Sequence, residues 1–456
     1  SIAHSNLGNR NQAEEYARRS LDEIDRLTGP GRLLVEGWYY SLREATWHRA
    51  FEAYRKTIEI DPDARGPRHN MARRLTMFER FDEAIELFEE LRKLGHPFPT
   101  THLCLALCYA QRGQYEVGLQ VLQEYLANHP DNPRGYSNLG LYLIGGGKLG
   151  AGTMEALQRA EVLSPLSPEP QTGFWTYSIL RENWERAERA AKRLTELQVA
   201  AWRLEGGRYL ATTSVYRGRA REGMDILEGA LRDYEEPDSE RGSIHNYAAH
   251  VLLEQGQAAG SLELAERARM EGKGDFPEWE GLYFTALAQA KLGRRNDAEK
   301  TAQELRNKAE ALPTQKERRR YHHLQGELAL ARGDTSHALE ELQSAQLMLT
   351  PRALRDRLSS RRPQHVLIWF SLASAHFVAG DEEEAAEWFQ RIIESTTERV
   401  EWPIPYVRSF YFLGKIHENR GEMDKAREYY RRFYEYWKDG DMDRERVEEA
   451  RKKLES

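Results

Sequence analysis

The residues whose types and spacing could support chemistry are the eight from 145 to 152, which read GGGKLGAG. They contain the pattern G-x-G-x-x-G of loops that cradle a dinucleotide, with Lys148 inside it. Such a loop binds phosphate when it follows a strand and opens a helix, because the helix N-terminus holds the anion. No strand pattern precedes these glycines, and Lys148 is followed by Leu149 instead of the Ser or Thr of a P-loop. The stretch is therefore predicted to be a turn and not a nucleotide site.

Other catalytic and metal-binding patterns are absent or weak. The chain has no G-x-S-x-G, H-E-x-x-H or H-R-D motif, and residues 275–277 read DFP where a kinase has DFG. The only cysteines, Cys104 and Cys108, are too few for a disulfide framework or a four-thiolate zinc site, and their spacing suits a buried helix face. His322 and His323 are adjacent on a helix, so their rings point about 100° apart. We expect no catalytic residues, no metal and no cofactor, and hence no enzyme.

Composition gives no reason to expect nucleic acid or a membrane. The 456 residues carry a net charge of −7, and no run reaches the roughly 18–20 apolar residues of a transmembrane helix. A cytoplasmic location is the default expectation. An extracytoplasmic or extracellular location stays open, because the chain starts with Ser1 and opens partway through a repeat.

A repeated sequence pattern runs along the chain, and all of these residues lie within it. Ala50, Ala84 and Gly118 each open a helix, and they are 34 residues apart. The stretches 109–130, 377–393 and 418–433 each contain a glycine turn followed by apolar or small residues at helical spacing. Strand-type alternation is nearly absent, which predicts an all-α fold.

This period resembles that of the tetratricopeptide repeat (TPR), in which each unit is a pair of antiparallel helices. The resemblance implies a right-handed α–α superhelical solenoid. Residues 1–31 are interpreted as a partial repeat with a truncated N-terminus, and residues 32–441 as about eleven TPR-like pairs. Residues 442–456 form a charged helix of the kind that caps a solenoid.

The resemblance also implies a binding surface, because the first helices of TPR pairs line a concave groove in which partner segments bind. The candidate groove residues are Tyr39, His69, Arg73, Leu107, Leu141, His250, Tyr283, His323, Phe370, Phe377, Arg408, Tyr411 and Lys415. Co-chaperones of this family clamp a terminal carboxylate with Lys-x-x-x-Asn and Lys-x-x-x-Arg. Only Arg73 fits that pattern here, so an apolar or mixed ligand is expected.

A basic cluster at 352–362 stands beside a second one at 316–320, and it is either a solvated connector or a contact for an acidic partner or phosphate. The run 33–40 and the ending 411–441 further resemble the repeat regions of large bacterial signalling proteins, in which TPR arrays follow a serine/threonine kinase or a winged-helix domain.

The leading hypothesis is a non-catalytic scaffold that binds a protein or peptide partner in an open concave groove, as the docking arm of such a signalling protein. One alternative is a structural repeat protein that assembles head to tail into homo-oligomers or filaments. Another is the regulatory part of an enzyme whose catalytic domain is missing. Within the solenoid, the five glycines of GGGKLGAG predict a late start of the following helix and a flexible joint.

Overall fold

A computed structural model of the chain describes residues 10–95, 99–235, 237–312, 316–352 and 362–455. These residues form 24 α-helices joined by short turns. The helices are α1 (Arg10–Asp22), α2 (Pro30–Tyr40), α3 (Trp47–Ile60), α4 (Arg65–Met77), α5 (Phe81–Lys93), α6 (Pro99–Gln111), α7 (Tyr115–Asn128), α8 (Pro133–Gly145), α9 (Ala151–Leu163), α10 (Pro168–Leu180), α11 (Trp184–Thr195), α12 (Ala200–Tyr216), α13 (Ala220–Arg232), α14 (Ser239–Glu254), α15 (Ala258–Glu271), α16 (Phe276–Lys291), α17 (Arg295–Ala311), α18 (Lys316–Arg332), α19 (Thr335–Leu347), α20 (His365–Ala379), α21 (Glu382–Glu394), α22 (Pro403–Asn419), α23 (Met423–Trp437) and α24 (Arg444–Glu455).

Neighbouring helices from α2 to α23 pack as eleven pairs, each stacked on the next, and α24 packs on the last pair. The fold is an all-α superhelical solenoid of TPR-like helix pairs. The first and second helices of a pair differ in how they are buried. The second helix α11 buries only one face, with Ala187, Ala190, Ala191 and Leu194 against its partner. The first helix α12 is buried along almost its whole length from residue 204 onward.

The first helices of the middle and later pairs are buried on nearly all sides because the solenoid closes on itself. Helix α12 contacts α22, which lies five pairs further along the chain. The connection before α22 runs through the interior, and every residue from 397 to 411 is buried. There the Tyr216 hydroxyl donates to the Arg399 carbonyl at 2.7 Å, and the Arg399 guanidinium donates to the Leu180 carbonyl at 3.3 Å. The open concave groove predicted along the whole array is therefore wrong for this part of the solenoid.

Buried ion pairs link residues that are far apart in sequence. Arg208, which is 7% exposed, bonds Glu401 from across the interior. Arg408 bonds Glu254 in the same way and also contacts Asp443 at 2.8 Å. An unpaired charge would be strongly unfavourable in this setting, so each arginine requires its carboxylate in place. These pairs set which parts of the solenoid meet.

Three acidic residues adopt a backbone conformation that normally favours glycine. Eight of the turns between paired helices have glycine at positive φ, whereas Glu79 (φ 63°) and Glu182 (φ 55°) occupy the same turn position. This conformation costs a residue with a side chain about 1–2 kcal/mol. Both carboxylates reach across the solenoid, from Glu79 to Arg319 at 3.1 Å and from Glu182 to Arg432 at 2.6 Å. The third, Asp443, has φ 43° and bonds Arg408. The strain is thus located where side chains hold the solenoid closed.

The N-terminal pair is held in a similar way. The backbone N–H of Ala45 donates to the Gly274 carbonyl at 3.2 Å, and the Trp279 indole donates to Glu44 at 3.3 Å. These bonds join the turn between α2 and α3 to the start of α16, so both ends of the array are attached to its middle.

The turn formed by GGGKLGAG has the predicted late helix start. In the preceding pair, α7 begins two residues after Gly113, which has positive φ. Here Gly147 has φ 73°, and α9 begins only at Ala151. The longer turn carries contacts of its own, since the Tyr177 hydroxyl donates to the Leu149 carbonyl at 3.1 Å. Flexibility of this joint stays a prediction.

In the described portion of the chain, none of the helices combines the length and apolar character needed to span a bilayer.

The two turn glutamates give a matched test of the closure. Glu79→Gln should lower the free energy of unfolding by about 3 kcal/mol, because it leaves Arg319 buried without its carboxylate. Glu182→Gln, at the same turn position, should cost about 1 kcal/mol or less, because Arg432 is 45% exposed. Denaturant unfolding of both variants measures the difference, and equal losses would contradict the assignment of Glu79 as a buried closure contact.

Candidate protein-binding surface

The predicted groove residues fall into two groups that differ in burial. Those on the N-terminal first helices are half-buried and reach solvent, namely Tyr39, His69, Arg73, Leu107 and Leu141. Phe370, Phe377 and Lys415 are also half-buried, whereas His250, Tyr283, His323, Arg408 and Tyr411 are buried. The inner surface of the first four pairs, α2–α9, is therefore the part that a partner can reach.

The buried candidates make contacts within the chain. His323 is 2% exposed, and its Nε2 lies 2.9 Å from the Ser371 hydroxyl and 3.4 Å from the Tyr283 hydroxyl. His250 packs edge-on against Trp402 with ring centroids 5.1 Å apart. The expectation that these side chains face an open groove is not met, because α20 and the segment before α22 cover them.

Arg408 and Tyr411 are buried for the same reason. Arg408 is enclosed by Glu254 and Asp443, as described above, and the Tyr411 hydroxyl donates to Glu449 of the C-terminal helix at 2.6 Å. Lys415 bonds the same carboxylate at 3.0 Å. The cap α24 therefore covers the inner side of the last pair.

Phe370 and Phe377 also belong to packing between pairs. Both rings lie against Phe412, with centroid distances of 6.0 and 5.4 Å. A role of any of these residues in binding a partner stays a prediction, and each of them contacts another part of the chain.

A cleft on the accessible surface brings two of the candidates together. Leu107 of α6 and Leu141 of α8 line it with Leu103 and Tyr142, and Thr397 faces them from the interior segment. The cavity volume of this cleft is about 30 Å³, so it is small. Its wall is mostly apolar, which fits the apolar or mixed ligand expected from the sequence.

The polar edge of the cleft was not found from the sequence. It consists of Gln111 at the end of α6, Tyr115 at the start of α7, and Arg352, which reaches it from after α19. Gln111 and Tyr115 flank the turn glycine of their pair, so the repeat pattern identified them as turn residues only. Nothing in the sequence indicates that Arg352 meets them, because 241 positions separate it from Gln111.

The glycine-rich turn packs against Tyr115 at this edge of the cleft. Tyr115 stacks on Tyr142 with ring centroids 4.7 Å apart, and each hydroxyl donates to the other residue's carbonyl. A Cβ on Gly146 would lie 2.1 Å from the Tyr115 hydroxyl oxygen. Gly146 is therefore required for close packing of Tyr115, while Gly147 supplies the positive φ of the turn. The motif that resembles a phosphate cradle instead seats an aromatic ring.

The basic clusters are not one exposed patch. Residues 353–361 of the cluster at 352–362 lie outside the described residues. Arg319, Arg320 and Arg362 are buried, and each bonds a glutamate: Glu79, Glu317 and Glu280, respectively. These three basic positions are therefore buried ion pairs, and they are neither a solvated connector nor a free anion site. Two of them, Arg319 and Arg362, connect distant parts of the solenoid.

Two buried histidines are neutral at physiological pH. Burial lowers the pKa of His250 to about 4, although Glu254 opposes the shift. Burial, with the nearby Arg320 guanidinium, lowers the pKa of His323 to about 3. Among the described residues no group of three or more His, Cys, Asp or Glu side chains could hold a metal ion.

Family models for the tetratricopeptide repeat match residues 70–133, 105–168 and 323–399, and a second such model matches residues 407–443. These parts of the chain are tetratricopeptide repeats. The narrower resemblance to bacterial signalling proteins is not reached by these matches and stays a prediction. No curated protein matches the chain.

Similar solved structures include a human IFIT1 dimer with m7Gppp-AAAA, which is 14% identical over 93% of this chain and 94% of that chain, with a TM-score of 0.43. Yeast Tom70 is 12% identical over 97% and 95%, with a TM-score of 0.40. Pseudomonas aeruginosa PilF is 13% identical over 46% and 90%, with a TM-score of 0.34. At these identities the similarity concerns the fold alone.

Two glycines of the stretch GGGKLGAG, one in the turn and one in the following helix, test the packing of Tyr115. Gly146→Ala should destabilise the protein by about 1–3 kcal/mol, because the new methyl group overlaps the Tyr115 ring. Gly152→Ala meets no neighbouring atom and lies in helix α9, so it should raise the unfolding free energy by up to about 1 kcal/mol. Thermal unfolding compares the two, and a tolerated Gly146→Ala would contradict the role given to this glycine.

The neutral histidines predict acid sensitivity. Because their folded pKa values lie below the unfolded value of about 6.5, the unfolded state binds more protons, and stability falls as the pH drops from about 6.5 towards 4. Each histidine should contribute a slope of about 1.4 kcal/mol per pH unit within this window. Denaturant unfolding between pH 6.5 and 4.5 measures the slope.

The variant His323→Gln should reduce that slope by about one proton. Identical slopes for His323→Gln and the native chain would show that His323 does not titrate as described.

Proposed function

We propose that this chain of tetratricopeptide repeats is a non-catalytic scaffold that binds a segment of a partner protein on the inner surface of its N-terminal pairs, α2–α9. The observation that carries the proposal is the contrast within the solenoid. The first helices of the middle and later pairs are largely buried by the chain itself, whereas the candidate residues on α2, α4, α6 and α8 are all half-exposed.

The chemistry of this surface supports a protein ligand. Leu107 and Leu141 provide an apolar wall, and His69 lies nearby with its Nδ1 2.8 Å from the Thr101 hydroxyl. The Nε–H group of Arg73 is buried and has no hydrogen-bond partner among the described residues. Arg73 as a whole is half-buried, so a carbonyl or carboxylate oxygen of a bound segment can accept a hydrogen bond from the accessible part of its guanidinium. Apolar contact combined with a few placed polar groups is typical of sites that bind peptides.

In this proposal the chain is an interaction arm, and any activity belongs to the protein that it binds or to a domain joined to it. A place within a bacterial signalling protein is the narrower form of the proposal, and its support is the sequence resemblance of residues 33–40 and 411–441. The partner is expected to be a protein and not a nucleic acid, because the net charge is −7 and the described arginines at 319, 320 and 362 are paired with glutamates.

A charge reversal on each side of the solenoid tests the location of the surface. The partner is first identified by co-purification with the full chain, and it is then titrated as a pure protein. Arg73→Glu should weaken partner binding at least about tenfold, which corresponds to about 1.4 kcal/mol. The new carboxylate repels the partner oxygen to which the guanidinium donates. Arg55→Glu, on the exposed side of the second helix α3, should change binding less than about twofold.

Equal effects of the two substitutions would contradict binding on the inner surface. Sedimentation of the chain without its partner addresses the alternative of self-assembly, and a species that grows with concentration would favour that alternative over the proposal.

A further inference from the structure

The polar edge of the cleft is occupied by a residue of the same chain. The side-chain amide of Gln111 donates from Nε2 to the Arg352 carbonyl at 2.9 Å, and its Oε1 accepts from the Arg352 backbone N–H at 3.2 Å. The N–H and the C=O of Arg352 both face Gln111, so a single primary amide bonds both. Gln111 therefore holds Arg352 through backbone groups that every residue except proline possesses.

The side chain of Arg352 is held by different chemistry. Its guanidinium donates to the Gly145 carbonyl at 2.9 Å and lies 5.6 Å from the centre of the Tyr115 ring. Gly145 is the last residue of α8, where unsatisfied carbonyls create partial negative charge that favours a cation. The aromatic face adds a second attraction for the same cation. This corner of the cleft therefore selects a positively charged side chain.

The two ends of this contact differ in burial. Gln111 is 5% exposed, and both hydrogen bonds described for its side-chain amide go to Arg352. Arg352 and the preceding Pro351, by contrast, are exposed. A buried amide without partners is unfavourable, so the site favours an occupant at all times. Because this occupant is exposed and is held only by two backbone hydrogen bonds, one guanidinium hydrogen bond and one aromatic face, another segment that offers the same groups can replace it.

We propose that the cleft edge formed by Gln111, Tyr115 and Gly145 binds an arginine-containing segment of a partner protein, and that Arg352 of the chain occupies it until the partner displaces it. This inference rests on the proposed function and specifies both the chemistry of the bound segment and the regulation of the site. The apolar wall at Leu107 and Leu141 lies beside the arginine position and receives the flanking residues of the segment.

The internal occupant has a predictable effect on affinity. A tethered segment competes at a high effective concentration, so a free segment binds the native chain more weakly than it binds a chain whose own segment has been released. Arg352→Asp should release it, because a carboxylate at the C-terminal end of α8 is repelled by the carbonyl that holds the guanidinium. This variant removes the occupant of the cleft edge but leaves Gln111, Tyr115 and Gly145 unchanged.

The test uses a fluorescein-labelled, C-terminally amidated peptide that copies residues 346–352 (QLMLTPR), titrated into the full chain and followed by fluorescence anisotropy. The peptide should bind the Arg352→Asp variant at least about tenfold more tightly than the native chain. Arg55→Asp, a control at an exposed position on α3, should bind the peptide like the native chain. A peptide with glutamate in place of its arginine should bind none of these proteins.

A second substitution tests the backbone contact. In the Arg352→Asp background, Gln111→Glu keeps the side-chain shape but removes the donor, and it should weaken peptide binding at least about tenfold. Circular dichroism confirms that each variant is folded.

Three results would overturn the inference: no saturable binding to Arg352→Asp, equal affinity of Arg352→Asp and the native chain, or equal affinity for the arginine and glutamate peptides. The proposed function is tested separately by Arg73→Glu, which lies outside this cleft edge. If Arg73→Glu weakens binding of the partner but the peptide does not bind the Arg352→Asp variant, only the inference about the cleft edge is wrong.

Discussion

Closure of the solenoid on itself is the constraint on which the rest of the structure depends. In an open TPR array, one face of the first helix of each pair would be exposed to solvent. Here the segment 397–411 passes through the interior and buries the later first helices. Charges are enclosed as a result, and pairing with a carboxylate from another part of the chain stabilises them, as where Arg208 meets Glu401 and Arg408 meets Glu254. Glu79 and Glu182 adopt a strained backbone at the turns from which their carboxylates make closure contacts.

Closure also decides where a partner can bind. Residues in equivalent repeat positions have different surroundings, because α20, α24 and the interior segment cover mainly the later pairs. His323 is enclosed, whereas Leu107, also on a first helix, lines an accessible cleft. The same closure brings Arg352 to Gln111, so the accessible surface is itself partly occupied by the chain. Binding and autoinhibition are thus proposed at one place for one geometric reason.

The glycine-rich turn shows how a motif changes its meaning with context. A phosphate cradle requires backbone N–H groups at a helix N-terminus, and the site found here is at the opposite end of a helix, where the Gly145 carbonyl accepts a hydrogen bond from a guanidinium. The absence of a strand pattern was sufficient to exclude the dinucleotide interpretation. The ring that requires Gly146, Tyr115, lies only 31 positions upstream, but its contact with the turn depends on how α7 packs against α8.

By itself, the sequence determined the helical class and the helix-pair rhythm, because periodic apolar positions and turn glycines act over a few residues and are repeated many times. It also indicated the late start of α9, since a run of glycine disfavours helix locally. Only the tertiary structure decided which first helices stay accessible, and that Arg319, Arg320 and Arg362 are buried pairs. Those outcomes depend on superhelical curvature, to which small rotations at every repeat contribute, so residues more than 200 positions apart meet without any local signal.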